Sequence, residues 1–123
     1  MLILICGKPG SGKTTYSNKF LNKYEVLHLD EIQSYEGVIE KLLTLNNDVV
    51  VEGIYDMPFI REEVVKSYHG EGLKRCIWLD TSVKLREERR NHKLEIDYSF
   101  IQPSYKEGWD DIVIIKDNKE EQC

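Results

Sequence analysis

Residues 7–14 have the sequence GKPGSGKT, and this run constrains the fold of the 123-residue chain more than any other feature. It matches the pattern GxxxxGK[ST] at every fixed position. The apolar run 2–6 before it predicts a strand buried on both faces, and residues 12–23 after it predict a helix. A glycine-rich turn between such a strand and helix can aim backbone N–H groups at phosphate oxygens. The run therefore predicts a site for the phosphates of a nucleoside triphosphate.

Each position of this loop has a predicted role. Lys13 is expected to bridge the β- and γ-phosphates as a binding and catalytic group, and Thr14 to offer its hydroxyl to Mg²⁺. Thr15 either touches the α-phosphate or only begins the helix. The predicted nucleotide-binding residues are Gly7, Lys8, Pro9, Gly10, Ser11, Gly12, Lys13, Thr14 and Thr15.

Apolar runs alternate with helical patterns along the rest of the chain. Strands are predicted at 2–6, 25–29, 49–51, 73–79 and 112–115, and helices at 12–23, 31–45, 56–68 and from residue 82 onward. This alternation predicts an α/β fold, a three-layer sandwich of the P-loop NTPase type with a five-stranded, mostly parallel sheet. We expect one domain at residues 1–116 and a polar, frayed tail at 117–123.

Composition narrows the possible partners and location. A formal net charge of −5 argues against a broad electrostatic grip on nucleic acid, although a local basic patch could hold a strand end. Cys6 and Cys76 lie in apolar runs and are expected to be buried small hydrophobes rather than disulfide partners or ligands. No apolar run is long enough to span a bilayer, so we expect a cytoplasmic protein with no membrane partner.

Two carboxylates follow predicted strands, at the sheet edge where ligands bind in such folds. Asp30 is the predicted catalytic base, which would accept the proton of an acceptor hydroxyl, although an Asp here could also only cap a helix. Glu52 has the position of a Walker B acid and is expected to orient Mg²⁺-bound water, the alternative being a surface strand end. Thr14 and Glu52 are thus the two residues predicted to bind Mg²⁺, either directly or through water.

The segment after Asp80 is rich in basic residues, with Arg86, Arg89, Arg90 and Lys93 at three- and four-residue spacings. Arginine side chains can neutralise charge that develops on a transferred phosphoryl group. We favour Arg89, then Arg90, as the catalytic cation. A solvated helix with local ion pairs is the alternative.

Residues 7–15, 27–32, 49–61 and 78–93 together resemble the small P-loop kinases, and above all the kinase domain of phage polynucleotide kinases. The resemblance implies that Asp30 is the general base and that Arg89 and Arg90 belong to a phosphate-gripping lid. The pair at 52–53, Glu-Gly, is more similar to uridine kinases and their relatives. Either likeness implies ATP, or another nucleoside triphosphate, as donor with Mg²⁺.

These observations predict an ATP- and Mg²⁺-dependent phosphotransferase with a hydroxyl acceptor, and the predicted acceptor is a polynucleotide 5′ end. The alternative acceptor is a nucleoside or another small molecule. Tyr35, Tyr55, Arg61 and Tyr105 are candidates for lining the acceptor pocket, although aromatic residues more often pack in the core.

Two other functional classes compete with this hypothesis. A non-catalytic module would bind ATP and open and close around it without phosphorylating an acceptor. A GTPase would need a guanine-reading NKxD, and residues 118–121 have the sequence NKEE, with no accompanying DxxG. A measured preference for GTP over ATP would favour the GTPase.

Overall fold

A single twisted sheet organises the chain. The structure is a computed structural model that describes residues 1–20, 22–90, 99–117 and 119–122, and for residues 89, 90 and 119–122 it describes the backbone alone. The strands are β1 (Leu2–Gly7), β2 (Glu25–His28), β3 (Val49–Gly53), β4 (Lys74–Asp80), β5 (Asp111–Lys116) and β6 (Lys119–Gln122). Their order is β2-β3-β1-β4-β5-β6. The first five are parallel, which confirms the predicted α/β fold.

The helices cover both faces of the sheet. They are α1 (Lys13–Ser17), α2 (Leu29–Ile32), α3 (Tyr35–Thr44), α4 (Pro58–Ser67) and α5 (Val83–Arg90), with 3-10 turns at Asn18–Phe20 and Tyr105–Glu107. In the described part of the chain, no helix is long and apolar enough to cross a membrane.

The central strand β1 is buried along its whole length because alternate residues pack on opposite faces. Its even-numbered residues join a cluster that contains Val38 and Leu42 of α3 and Val64 of α4. Its odd-numbered residues join a second cluster, against which Tyr16 and Phe20 pack. The sheet is therefore the middle layer of three.

Two predicted helices are shorter than expected. The helix predicted at 31–45 is broken after Ile32, because Gln33 takes a left-handed conformation (φ 71°) and Ser34 caps α3 by accepting a hydrogen bond from the Gly37 N–H at 3.0 Å. The helix predicted at 12–23 ends at Ser17 and continues as a 3-10 turn. Because α1 has only five residues, its helix dipole is small. We therefore expect the backbone N–H groups of the loop to contribute more to anion binding than the dipole does.

The tail expected to be frayed includes the sixth strand. Lys116 of β5 pairs with Lys119 of β6, and the two strands are antiparallel. Asp117, which follows β5, has φ 45°, a left-handed conformation that Asp adopts more readily than most residues. We attribute the missed strand to the polar composition of its residues, which carry no apolar pattern.

The two described cysteines lie in the core, as predicted. Cys6 and Cys76 are free and buried, with their sulfur atoms 3.7 Å apart. Burial, together with the neighbouring Cys6 thiol, raises the pKa of the Cys76 thiol. Both residues therefore behave as small hydrophobes between β1 and β4.

Candidate functional site

The glycine-rich loop runs from the end of β1 to the start of α1. Gly12 caps α1 with φ 93°, a conformation that side chains with a Cβ rarely adopt. The Ser11 N–H donates to the Lys8 carbonyl oxygen at 3.1 Å, and the Lys13 Nζ donates to the same oxygen at 3.0 Å. The loop is thus folded back on itself with the Lys13 ammonium held against it.

A cleft of about 430 Å³ opens beside this loop, at the carboxyl ends of β1 and β3. Its described lining residues are Pro9, Gly10, Gly12, Lys13, Thr14, Thr15, Asp30, Glu52, Gly53 and Ile54. Six of the nine predicted nucleotide-binding residues are among them. The other three, Gly7, Lys8 and Ser11, belong to the loop but are not among the residues that line the cleft. The cleft also brings Asp30 and Glu52 to the loop, as the sequence predicted.

Glu52 is 3% exposed at the end of β3. Its Oε1 accepts a hydrogen bond from the Thr14 hydroxyl at 3.2 Å and lies 3.0 Å from His28 Nδ1. Through these contacts with Thr14 and His28, Glu52 connects the end of β3 to the start of α1 and to the end of β2. Glu52 is therefore a buried strand-end acid rather than a surface one.

Asp30 is the second residue of the short helix α2, and its side chain is exposed. The residue that caps α2 is His28, so the helix-cap alternative for Asp30 is not what the structure contains. Within the described residues Asp30 has no hydrogen-bond or ion-pair partner. Its carboxylate is accordingly open to a ligand in the cleft.

A second cavity of about 510 Å³ adjoins the cleft on the β2 side. Its described lining consists of Thr14, Asn18, Val26, His28, Asp30, Glu31 and Glu52. Three of these residues, Thr14, Asp30 and Glu52, also line the first cleft. A molecule in the second cavity would meet the phosphate cleft at these three side chains.

On the other side of the loop, β4 leads into α5. The Thr81 hydroxyl donates to the Ser11 carbonyl oxygen at 3.3 Å, and Arg86, only 1% exposed, donates from Nε to the Thr81 carbonyl oxygen at 3.1 Å. Arg86 thus ties α5 to the phosphate loop through Thr81. The side chains of Arg89 and Arg90, and the whole of Lys93, lie outside the described residues.

Arg61 forms a buried ion pair with Glu107. Its Nε and Nη2 donate to the two oxygens of Glu107 at 2.8 and 2.9 Å, and its other bonds go to the carbonyl oxygens of Tyr55 and Ile101, both at 2.7 Å. Burial acts to lower the pKa of Arg61, but Glu107 outweighs it and raises the pKa. The hypothesis that Arg61 lines the acceptor pocket is wrong, because the side chain is fully buried and all three of its guanidinium nitrogens donate to groups inside the protein.

The three tyrosines proposed for the acceptor pocket also lie elsewhere. Tyr55 is buried with φ 43° and makes an edge contact with Tyr35, with ring centroids 5.0 Å apart. Burial raises the pKa of Tyr55 far above its usual value, and the neighbouring Tyr35 and Glu52 add to the effect. Tyr105 is half exposed in the 3-10 turn. None of the three is among the described residues that line either cavity.

The cleft offers the oxygen atoms that Mg²⁺ prefers. The two predicted metal residues, Thr14 and Glu52, contribute a hydroxyl and a carboxylate to one cavity. Among the described residues, no group of three or more His, Cys, Asp or Glu could hold a metal by itself. In nucleotide sites, Mg²⁺ is bound by one or two protein oxygens together with phosphates and water.

Three residues of this region were missed from the sequence. His28 could have been found, because strands 25–29 and 49–51 were both predicted and His28 pairs in register with Glu52. Glu107 closes a capping box with Ser104, a pattern visible as Ser-x-x-Glu. The link from Thr81 to the loop had no sequence signal, since it depends on how β4 packs beside β1.

Comparison with known proteins identifies the fold. A gluconokinase from Sinorhizobium meliloti 1021 superposes with a TM-score of 0.71, at 18% identity, over 93% of this chain and 81% of that one. A sugar kinase from Janibacter sp. HTCC2649 gives a TM-score of 0.61 at 13% identity, over 94% of this chain and 84% of that one. APE1195 gives 0.59 at 17% identity, over 85% of this chain and 80% of that one.

Comparison of the sequence alone finds fewer similar proteins than comparison of the structure. No protein-family model matches the chain. The GTPase Era of Rickettsia bellii is 29% identical over 76 residues, which cover 62% of this chain. The match spans about a quarter of that GTPase, 24% of its length. Taken with the sheet order and the glycine-rich loop, the structural matches show that this chain has the P-loop NTPase fold, with small sugar kinases among its structural neighbours.

Proposed function

We propose that the chain is a Mg²⁺-dependent phosphotransferase that moves the γ-phosphoryl group of ATP, or another nucleoside triphosphate, to a hydroxyl group of a small molecule. One observation carries the proposal: Lys13, Thr14, Asp30 and Glu52 line a single cleft beside the phosphate loop. A phosphate-binding cation, an oxygen set for the metal and an open carboxylate are the groups that phosphoryl transfer to a hydroxyl requires.

The phosphate loop supplies the binding and positioning. Its backbone N–H groups and the Lys13 ammonium would hold the β- and γ-phosphates. The Thr14 hydroxyl has one hydrogen, which it donates to Glu52, so its lone pairs stay available to a cation. Mg²⁺, bound by Thr14 and through water by Glu52, would neutralise charge on the phosphates.

Asp30 would act as the general base. In the transfer, the acceptor oxygen forms a bond to the γ-phosphorus while the bond from that phosphorus to the bridging oxygen of the leaving diphosphate breaks. The acceptor hydroxyl proton passes to the Asp30 carboxylate, which has no other partner within the described residues. Arg89 and Arg90 are kept as the proposed cations for the transferred group.

The acceptor is proposed to be a small molecule rather than a polynucleotide. The structural neighbours include a gluconokinase and a sugar kinase, and no comparison supports a polynucleotide end. The second cavity, of about 510 Å³, falls in the range of small-molecule sites. This favours the alternative acceptor of the sequence analysis over its first choice.

The test is transfer of labelled γ-phosphate from ATP with Mg²⁺ to a panel of sugars, sugar acids, nucleosides and 5′-hydroxyl oligonucleotides. We expect a labelled small molecule, and Asp30→Asn should lower the transfer rate by about 10²- to 10⁴-fold without weakening ATP binding. Glu36→Gln is the matched control, because Glu36 is an exposed acid in the next helix. Equal transfer by the Asp30 variant would remove Asp30 from the mechanism.

A GTP-hydrolysing protein is the second candidate, because of the 76-residue match to GTPase Era. It predicts tighter binding of GTP than of ATP and hydrolysis that needs no acceptor. Residues 119–121 of the near-miss guanine motif lie in strand β6 and pair with β5. Strand pairing of this kind does not form the loop pocket that a guanine base would need. Running the same panel with GTP separates the two candidates.

A further inference from the structure

His28 and Glu52 are neighbours across two parallel strands. They are register partners at the carboxyl ends of β2 and β3. The His28 Nδ1 lies 3.0 Å from Glu52 Oε1, and the two side chains are only 15% and 5% exposed. A hydrogen bond that is largely shielded from water holds its geometry better than an exposed one. The pair is therefore a fixed feature of the cleft wall.

The two partners of Glu52 meet at one of its oxygens. An ionised carboxylate can only accept, so His28 donates its Nδ1 hydrogen to Oε1, where Thr14 also donates. In the described part of the chain, Oε2 of the same carboxylate accepts no hydrogen bond. Glu52 lines both cavities. One oxygen is thus tied down by two donors, while the other stays available to a ligand.

We propose that His28 is a positioning residue for Glu52. Its Nδ1–H fixes the rotation of the carboxylate, so that Oε2 is kept for the Mg²⁺-bound water of a bound nucleotide. Partners of this kind orient metal-site carboxylates in other proteins, where their loss typically lowers metal affinity by roughly 10- to 100-fold. The proposal rests on the proposed function, because that function is what assigns Glu52 to the Mg²⁺-bound water.

The shapes of asparagine and glutamine make the proposal testable. The side-chain amide nitrogen of asparagine is the same number of bonds from the backbone as His Nδ1, whereas that of glutamine corresponds to Nε2. His28→Asn should therefore keep a donor for Oε1, and His28→Gln and His28→Ala should lose it. A role in packing alone would instead follow side-chain volume, so that glutamine would substitute at least as well as asparagine.

The first readout is the affinity for ATP, measured by calorimetry with Mg²⁺ and again in excess EDTA. We expect His28→Ala and His28→Gln to lose roughly 10- to 100-fold of the Mg²⁺-dependent gain in affinity, with the EDTA value unchanged. His28→Asn should restore most of that gain. His69→Ala is the matched control, since His69 is exposed and lines neither cavity. An unchanged gain in His28→Ala would overturn the proposal.

The second readout needs no nucleotide. In ¹⁵N-labelled protein, the His28 ring should carry its proton on Nδ1, and Glu52→Ala should weaken this preference. A ring protonated on Nε2 alone would contradict the donor role of Nδ1. If the wild-type protein showed no Mg²⁺-dependent ATP binding, the proposed function would fail, whereas the ring signal would still report whether His28 holds Glu52.

Discussion

Glu52 and Glu107 are both buried acids, 3% and 5% exposed, yet their surroundings are opposite. Glu107 meets the Arg61 guanidinium through both oxygens and also accepts from the Trp109 Nε1 at 2.9 Å. Glu52 has two donors, His28 and Thr14, and both bind one oxygen. Among the described residues, both oxygens of Glu107 therefore accept hydrogen bonds from a cation, whereas Oε2 of Glu52 accepts none.

The difference separates a structural acid from one kept for a ligand. The Arg61–Glu107 pair joins α4 to the 3-10 turn, and Arg61 also binds the carbonyl oxygens of Tyr55 and Ile101. It thereby fixes the loop that follows β3, next to the cleft residue Ile54. Glu52 ends the same strand, but its negative charge faces the cleft. A buried charge that lacks a cation is costly, and a bound metal ion would offset that cost.

The largest expected effect is on stability, from Arg61→Met. This change leaves the Glu107 carboxylate buried without its cation, which should lower the free energy of unfolding by about 3–5 kcal/mol. Urea unfolding measures it. The matched control is Arg75→Met, which breaks the half-exposed Arg75–Asp111 pair and should cost at most about 1 kcal/mol. If both variants lost the same free energy of unfolding, the buried ion pair would contribute no more to stability than the half-exposed one.

An intermediate effect is expected on binding, from Lys13→Ala. Loss of a charged hydrogen-bond donor should weaken ATP binding by about 1.5–3 kcal/mol, roughly 10- to 150-fold. Its effect on unfolding should be small, because Lys13 is half-buried at the surface of the loop. Calorimetric titration with ATP, beside Lys66→Ala as an exposed control on α4, tests this. Undiminished ATP affinity would contradict the assignment of the loop.

The smallest effect is expected on stability, from Glu52→Gln. The amide oxygen can still accept from Thr14 and His28, so the free energy of unfolding should change by less than about 1 kcal/mol. Glu107→Gln, in contrast, leaves Arg61 buried without a counter-ion and should cost about 3 kcal/mol or more. The pair of variants is compared by urea unfolding at one pH. Similar losses of unfolding free energy in the two variants would contradict the distinction between a ligand-binding Glu52 and a structural Glu107.

The parts of the molecule that follow local rules could be predicted from the sequence. The glycine-rich run and the alternating apolar segments determined the fold and brought Lys13, Thr14, Asp30 and Glu52 to one edge. Residues set by long-range packing were not predictable in this way. The partner of Arg61 is Glu107, 46 positions away in the sequence, and no local pattern predicts that the two residues meet. The hairpin of β6 was missed since its strand is entirely polar.

We propose above that the cleft around Glu52 binds a nucleotide together with its metal ion. The most direct test is the affinity of the wild-type protein and Glu52→Gln for ATP, each measured with Mg²⁺ and in EDTA. We predict that Mg²⁺ strengthens ATP binding to the wild-type protein and has much less effect on Glu52→Gln, while the two proteins bind alike in EDTA. An equal Mg²⁺ effect in both proteins, or no ATP binding at all, would contradict a nucleotide and metal site at Glu52.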